Sequence, residues 1–462
     1  MNPSKGTKNL SKIRLRKIAH VNPFDLFAKI HKHYDYTYLL ESIEGPRKLT
    51  QYSFIGFNPR SIITVKNGEI VFTDVREQTR IKEKTDKPLS KIRQTLESTF
   101  LPFHELRLIG GAIGYFSYDA IRYWENLPKS AKDDLNFPDI ELAIYDDGIM
   151  FDHGNQKAFY YYLTRNRLQD LERLMKSPLE IQSLQYTEPK TNLSKKTFEK
   201  EVANAKDYIV SGDILQVVLS KRYEITLKGD LLQFYRSLRR INPSPYMYFL
   251  KMKERQIIGS SPEMLVRIEK GVVETYPIAG TRPITEDNEK NEFLAKELLN
   301  DPKERAEHIM LVDLARNDIG KVSEYGSVHV PQFMEVHKYS HVQHIVSRVA
   351  GKLKPNCDNY DSLKAIFPAG TVSGAPKIRA MEIIEEAEPT RRGPYAGGVG
   401  YFSFNGNSDF AITIRTLVIN GNKGYIQVGA GIVADSVPER EWFETDYKAQ
   451  ALMMALEASG ED

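Results

Sequence analysis

Two short acidic strings in the C-terminal half carry carboxylates at a spacing that suits a hard cation. Glu304 and Glu307 lie in Lys303-Glu-Arg-Ala-Glu-His308, and Glu441 and Glu444 in Glu439-Arg-Glu-Trp-Phe-Glu-Thr445. On a helix, residues three apart share a side, so each pair presents two carboxylates together. Such oxygen ligands suit Mg²⁺, which keeps several waters and shares its remaining positions with an anionic substrate. The same strings also read as solvated helical faces, and Lys448, one turn past Glu444, invites an ordinary i,i+4 ion pair. Gly429-Ala430-Gly431, after a predicted strand, gives backbone N–H groups close access to an anion, as in a nest, or else forms a tight turn. Pro368-Ala-Gly-Thr371-Val-Ser-Gly-Ala-Pro-Lys377 is a small-residue loop entering a helical pattern, with hydroxyls and a helix N-terminus suited to facing a carboxylate. It lacks the Walker spacing, so nucleotide binding is not supported. His344, in an apolar run, reads as a structural histidine or as a base. Singly, none of these features names an activity.

The elements that must position them can be read from periodicity and punctuation. The chain has 462 residues and 41% hydrophobic content, enough for a substantial core. From Phe24 to Tyr162, short apolar runs such as Ser61 to Val65 and Ile140 to Tyr145 alternate with Gly, Asn and Asp turns, a strand-rich pattern. The polar stretch 183–196 reads as a linker and marks the main boundary. It separates an N-terminal region, 18–182, from a second region, 197–457, and a basic tail, 1–17, reads as solvated and disordered. Beyond the boundary, Phe198, Val202, Ala205 and Ile209 predict a helix ended by Gly212, with a buried strand from Ile214 to Leu219. Asp230 caps a further helix that stops at Asn242-Pro243. Met247 to Ile278 reads as strands and hairpins, and Asn405-Gly406 and Asn420-Gly421 as turns flanking strands Ala411 to Ile419 and Tyr425 to Val428.

Composition excludes several classes. Lysine and arginine number 64 against 61 acidic residues, a net charge of +3, so bulk electrostatics favour neither nucleic acid nor a membrane surface. The single cysteine, Cys357, rules out an internal disulfide framework and thiolate metal sites and suits a reducing cytoplasm. No apolar run reaches the roughly 18 residues of a membrane span.

Together the motifs resemble the chorismate-utilising enzymes from about Thr197 to Leu456 and the anthranilate synthase large subunit over most of the chain. The strings that carry the resemblance include Gln216-Val-Val-Leu-Ser220, Ser261-Pro-Glu263, Pro277-Ile-Ala-Gly-Thr281-Arg282 and Asp313-Leu-Ala-Arg-Asn-Asp318. The Thr371 loop, Tyr395-Ala-Gly-Gly398, Gly429-Ala-Gly-Ile432 and the Glu441, Glu444, Lys448 triplet complete them. The resemblance implies an α+β fold, a large β-sandwich of mainly antiparallel sheets with outer helices and the active site in the cleft between layers. It assigns chorismate's carboxylates to Arg415, Tyr395 and Lys448, with Thr281, Gly429, Ala430 and Gly431 in support. Glu307 and Glu444, with Glu304 and Glu441 nearby, are expected to hold Mg²⁺. Glu263 is the expected general acid for the departing ring hydroxyl, and His344 the expected base or orienting group for pyruvate elimination, supported by Thr371.

Product choice is expected to lie at Gln216 and Ala279. Relatives that add water carry a lysine base where Gln216 stands, and aminodeoxychorismate synthases typically carry a nucleophilic lysine where Ala279 stands. Aminodeoxychorismate synthase is therefore the runner-up, and a catalytically inactive aromatic-ligand-binding subunit the reading from another class. Cys357 lacks the setting of a glutaminase nucleophile, so a separate glutamine amidotransferase subunit is the expected partner, in a hetero-oligomer. Leu39-Leu40-Glu41-Ser42 and Asn242-Pro243-Ser244-Pro245-Tyr246-Met247 resemble the two regulatory strings, implying L-tryptophan as inhibitor.

Overall fold

The computed structural model describes residues 13–44, 51–101, 106–339 and 342–460. Two antiparallel sheets, of 13 and 12 strands among the described residues, form the fold. In the first, Tyr36–Glu41 pairs with Tyr246–Met252, which continues through Arg255–Ser261, Thr416–Asn420, Lys423–Ile432 and Gln216–Gly229. In the second, Gly111–Phe116 pairs with Gly398–Ser403, which continues through Ser408–Ile412, Met264–Glu269 and Val272–Thr275 to Val342–Lys352 and Ile278–Pro283.

Tyr38, Tyr248 and Val418 from the first sheet meet Tyr115, Tyr145, Val399 and Tyr401 from the second in one core between the layers. Each outer face buries a second cluster against helices, through Leu232, Leu238 and Leu452 on one side and Val312, Ile319 and Leu363 on the other. The expected antiparallel sandwich with outer helices is what the chain forms.

Four local expectations differ. Arg14–Ile18 is a strand paired with Lys157–Tyr162, although disorder was expected for 1–17; residues 1–12 lie outside the described residues. A solvated edge strand needs no apolar alternation, so its charged sequence gave no signal. The stretch 183–196 is not a free linker, because Leu184–Tyr186 and Lys190–Thr191 both pair with Gln216–Gly229. The regions on either side of it interleave, each contributing strands to both sheets. Ala411 to Ile419 is not one strand: Ser408–Ile412 belongs to the second sheet and Thr416–Asn420 to the first, with Arg415 at φ 49° between them. Gly429-Ala430-Gly431 is neither nest nor turn but lies within Lys423–Ile432, paired to Ser220, Leu219 and Val218.

Candidate active site

The chain crosses between the sheets at two adjacent points, and each crossing carries a group expected to do chemistry. Glu263 lies between Arg255–Ser261 and Met264–Glu269, Arg415 between Ser408–Ile412 and Thr416–Asn420. The crossings are stitched together, because Ile412 N–H donates to the Glu263 carbonyl at 3.0 Å and Ser260 N–H to the Arg415 carbonyl at 3.1 Å. Side chains released from both sheets at this end therefore converge.

Glu263 is 8% exposed and accepts a 2.7 Å hydrogen bond from the Thr371 hydroxyl. Burial pushes its carboxyl up to about 7, against the pull of the Thr371 bond, Arg415 and Lys448. A carboxylic acid poised near neutrality can deliver a proton that an ordinary glutamate has already lost. Arg415 makes no salt bridge among the described residues, and burial lowers its pKa while Glu263 and Tyr339 raise it. A guanidinium held this way favours a carboxylate ligand, which would restore its missing counter-charge.

His344 is on Val342–Lys352, with Nδ1 2.8 Å from the Gly280 carbonyl and 3.2 Å from the Thr281 hydroxyl. A carbonyl only accepts, so Nδ1 carries the proton and the lone pair resides on Nε2. Burial lowers the ring to about 4, leaving it neutral at pH 7, as a base must be.

The two acidic pairs do sit on helices, Pro302–Gly320 and Pro438–Gly460. Asp301 caps the first, with proline at N1. Burial raises Glu307, and the neighbouring Glu304 and Glu444 carboxylates add repulsion; burial and Glu444 do the same to Glu441. Glu304 reaches Arg282 at 3.3 Å and Glu444 reaches Lys448 at 2.7 Å. Lys448 also donates to the Gly429 carbonyl at 2.9 Å, tying the second helix to the glycine-rich strand. Among the described residues no three His, Cys, Asp or Glu groups converge tightly enough to hold an ion alone. The mutually repelling carboxylates of the two helices are hard oxygen donors of the kind a divalent cation takes.

Gly429 and Gly431 matter for space. A Cβ on Gly429 would meet the Tyr395 hydroxyl at 2.7 Å, and one on Gly431 the Gln216 carboxamide at 2.7 Å. Ala430, on the opposite strand face, points into a hydrophobic cluster with Leu219 and Ile384, away from Tyr395 and Gln216. Gln216 begins its strand opposite Ala375 and is buried, and Ala279 is buried opposite Ile345.

The two regulatory strings are strand neighbours, Glu41 facing Met247 and Leu40 facing Tyr248. Leu40, Glu41, Ser42, Tyr246 and Met247 line a small inter-sheet cavity of about 50 Å³. Glu41, expected to meet an ammonium group, is engaged by Arg239 at 2.9 Å and by the Tyr235 hydroxyl at 2.9 Å. Asn242 and Ser244 turn to Ser260 instead, at 3.3 and 2.8 Å, with Pro243 between them. Ser42 donates to the Pro245 carbonyl at 2.5 Å.

Sequence reasoning missed Tyr339, whose ring lies 5.6 Å from that of His344 and whose field reaches Glu263 and Arg415. It also missed Arg392, which lies three residues before the Tyr395-Ala-Gly-Gly398 string and outside it, and the buried Lys377–Asp318 pair at 2.6 Å that links the Thr371 loop to the Pro302–Gly320 helix.

Comparison with known proteins matches a family described as chorismate binding enzyme to residues 35–454. Anthranilate synthase component 1 of Methanothermobacter marburgensis is 49% identical over 456 residues, 99% of this chain and 97% of the relative. Aminodeoxychorismate synthase component 1 of Bacillus subtilis is 41% identical over 469 residues, 98% of this chain and 97% of the relative. The solved structure of anthranilate synthase component I from Streptococcus pneumoniae superposes with a TM-score of 0.78 at 38% identity, covering 89% of this chain and 93% of that one.

Proposed function

The chain belongs to the chorismate-binding enzyme family, and we propose that it is an anthranilate synthase large subunit, converting chorismate and ammonia to anthranilate and pyruvate in tryptophan biosynthesis. The observation that carries the reading is Glu263, a buried carboxyl raised to about 7 and hydrogen-bonded by Thr371, beside the salt-bridge-free Arg415. Arg415 anchors a substrate carboxylate, with Tyr395 and Lys448, which both approach the Gly429 position, in support. Ammonia attacks C2 of the ring as the C4 hydroxyl departs, and Glu263 protonates that hydroxyl so that it leaves as water. The resulting amino intermediate loses a ring proton to Nε2 of His344 and expels enolpyruvate, which becomes pyruvate, leaving an aromatic product. Glu307 and Glu444 are the residues that would hold Mg²⁺, which when bound supplies positive charge to the ring carboxylate.

The ammonia is proposed to come from a separate glutaminase subunit, because Cys357, the single cysteine, meets Asn356 and, among the described residues, no histidine. Tryptophan is proposed to bind the inter-sheet cavity bounded by Leu40, Ser42 and Met247.

Purified chain incubated with chorismate, Mg²⁺ and ammonium salt at alkaline pH should give blue-fluorescent anthranilate and one pyruvate per chorismate. The Bacillus subtilis relative makes aminodeoxychorismate synthase the second reading. 4-Amino-4-deoxychorismate as the main product would establish that alternative, and unchanged chorismate would overturn both.

A further inference from the structure

Arg392 is 2% exposed and lies between three parts of the candidate site. Its guanidinium donates to the Val372 carbonyl at 2.7 Å, in the turn that holds Thr371, and to the Val218 carbonyl at 2.7 Å, on the strand paired with Gly431. It also lies 5.5 Å from the centre of the Tyr395 ring. Glu388 holds it from behind through two bonds, at 2.9 and 2.6 Å. Glu388 in turn accepts from the Ser220 N–H and hydroxyl at 2.9 and 2.8 Å, so the buried pair is well supplied with partners. A bare buried ion pair would serve the fold no better than apolar residues of the same size, but only a planar fork spans two carbonyls and a carboxylate at once.

We propose that Arg392 is a positioning residue for the reaction, fixing the Thr371 turn against the Gln216–Gly229 strand so that the Thr371 hydroxyl stays on Glu263. The chain of contact is short. Val372 follows Thr371, the Ser373 carbonyl accepts from Val218 N–H at 2.9 Å, and Thr371 meets Glu263 at 2.7 Å. The proposal rests on the reading of Glu263 as the acid.

Arg392→Lys tests it, because lysine keeps the charge beside Glu388 but cannot span both carbonyls. Glu388→Gln is the second variant; it keeps the fork and removes its orienting charge. Both should raise amide hydrogen exchange at Val372 and Ser373, and Arg392→Lys should lower kcat by roughly 10- to 100-fold, the scale of an ångström-level misplacement, with a smaller change in KM. The loss should shrink in a Thr371→Val background, since the two act through one contact. The alkaline limb of the rate profile should move to higher pH in both variants, because weakening the Thr371 bond raises Glu263, while the other groups that face it, Arg415, Lys448 and Tyr339, remain in place. Unchanged exchange at the turn, or a loss of kcat fully additive with Thr371→Val, would overturn the proposal and leave Arg392 a core residue. A wild-type chain that leaves chorismate unchanged would sink the functional reading, while the exchange arm would still decide whether Arg392 holds the turn.

Discussion

Replacing Glu263 by glutamine should make the protein more stable at pH 8, more so than at pH 5, while abolishing turnover. The carboxyl is displaced from its ordinary 4.5 to about 7 by burial. Between those values the folded state retains a proton that the unfolded chain has released, so stability falls as pH rises through this window. Below pH 4.5 both states are protonated and there is no penalty. Above pH 7 the penalty stands in full, and at 1.36 kcal/mol per pH unit it amounts to about 3 kcal/mol. The attraction of Arg415 and Lys448 is already contained in that figure, since both oppose the rise. Glutamine preserves the acceptor for the Thr371 hydroxyl and carries no charge, so the pH-dependent difference isolates the buried carboxylate. Urea unfolding of both proteins at pH 5 and pH 8, compared at constant m, should show the variant gaining about 2 to 3 kcal/mol more at the higher pH. Equal differences at the two values would refute the burial argument, and turnover by the variant would refute the acid role.

Glu307→Gln and Glu444→Gln should each lose activity with an unchanged circular dichroism spectrum and require more Mg²⁺ for half-maximal rate, because an amide is a poorer ligand; full activity of the double variant in excess chelator would contradict this. His344→Asn should slow the second step, so that the amino intermediate builds up and is visible by chromatography before pyruvate appears. Met247→Thr should relieve tryptophan inhibition with turnover in its absence nearly unchanged, measured as anthranilate formation at rising tryptophan. Glutamine without a second subunit should support no anthranilate, which a homogeneous preparation assayed with glutamine alone will check.

Much of the helical skeleton was legible because its ends are written locally. Ser194, Asp230 and Asp301 all accept from backbone N–H groups at helix starts, and Asn242 before Pro243 closes the helix that Asp230 opens. The carboxylate spacing at 304/307 and 441/444 was legible for the same reason, since it depends only on the helical period. The crossing at Arg415 was not, because apolar alternation runs on through Ala411 to Ile419 while the φ of 49° there is imposed by the sheets and not by a glycine. Gly429-Ala430-Gly431 misled in the opposite direction: its glycines signalled a turn, yet they serve close approach of Tyr395 and Gln216 to an extended strand. The engagement of Glu41 by Arg239, and the span of Arg392 between two carbonyls, join residues far apart in sequence and leave no local trace.

The placement of the inter-sheet cavity bears on how an inhibitor there would reach the chemistry. Tyr246 lines the cavity and faces Ser261 across the sheet, two residues before Glu263, and its hydroxyl donates to Asp409 at 3.0 Å. Asp409 and Ala411, also in the lining, lie on the strand that leads into the Arg415 crossing. One cavity wall thus runs into each crossing, and the crossings are bonded to one another through Ser260 and Ile412. A bulky ligand that separates Tyr246 from Asp409 would disturb the acid and the anchor together, without touching either. Filling alone is insufficient, because a ligand shifts only an equilibrium whose two states it binds unequally. Reciprocity then demands that chorismate weaken tryptophan binding by the same factor, for a coupling of about 1–3 kcal/mol. Calorimetric titration of tryptophan with and without chorismate therefore discriminates an inhibitor acting through the paired crossings from one that merely occupies the space between the sheets.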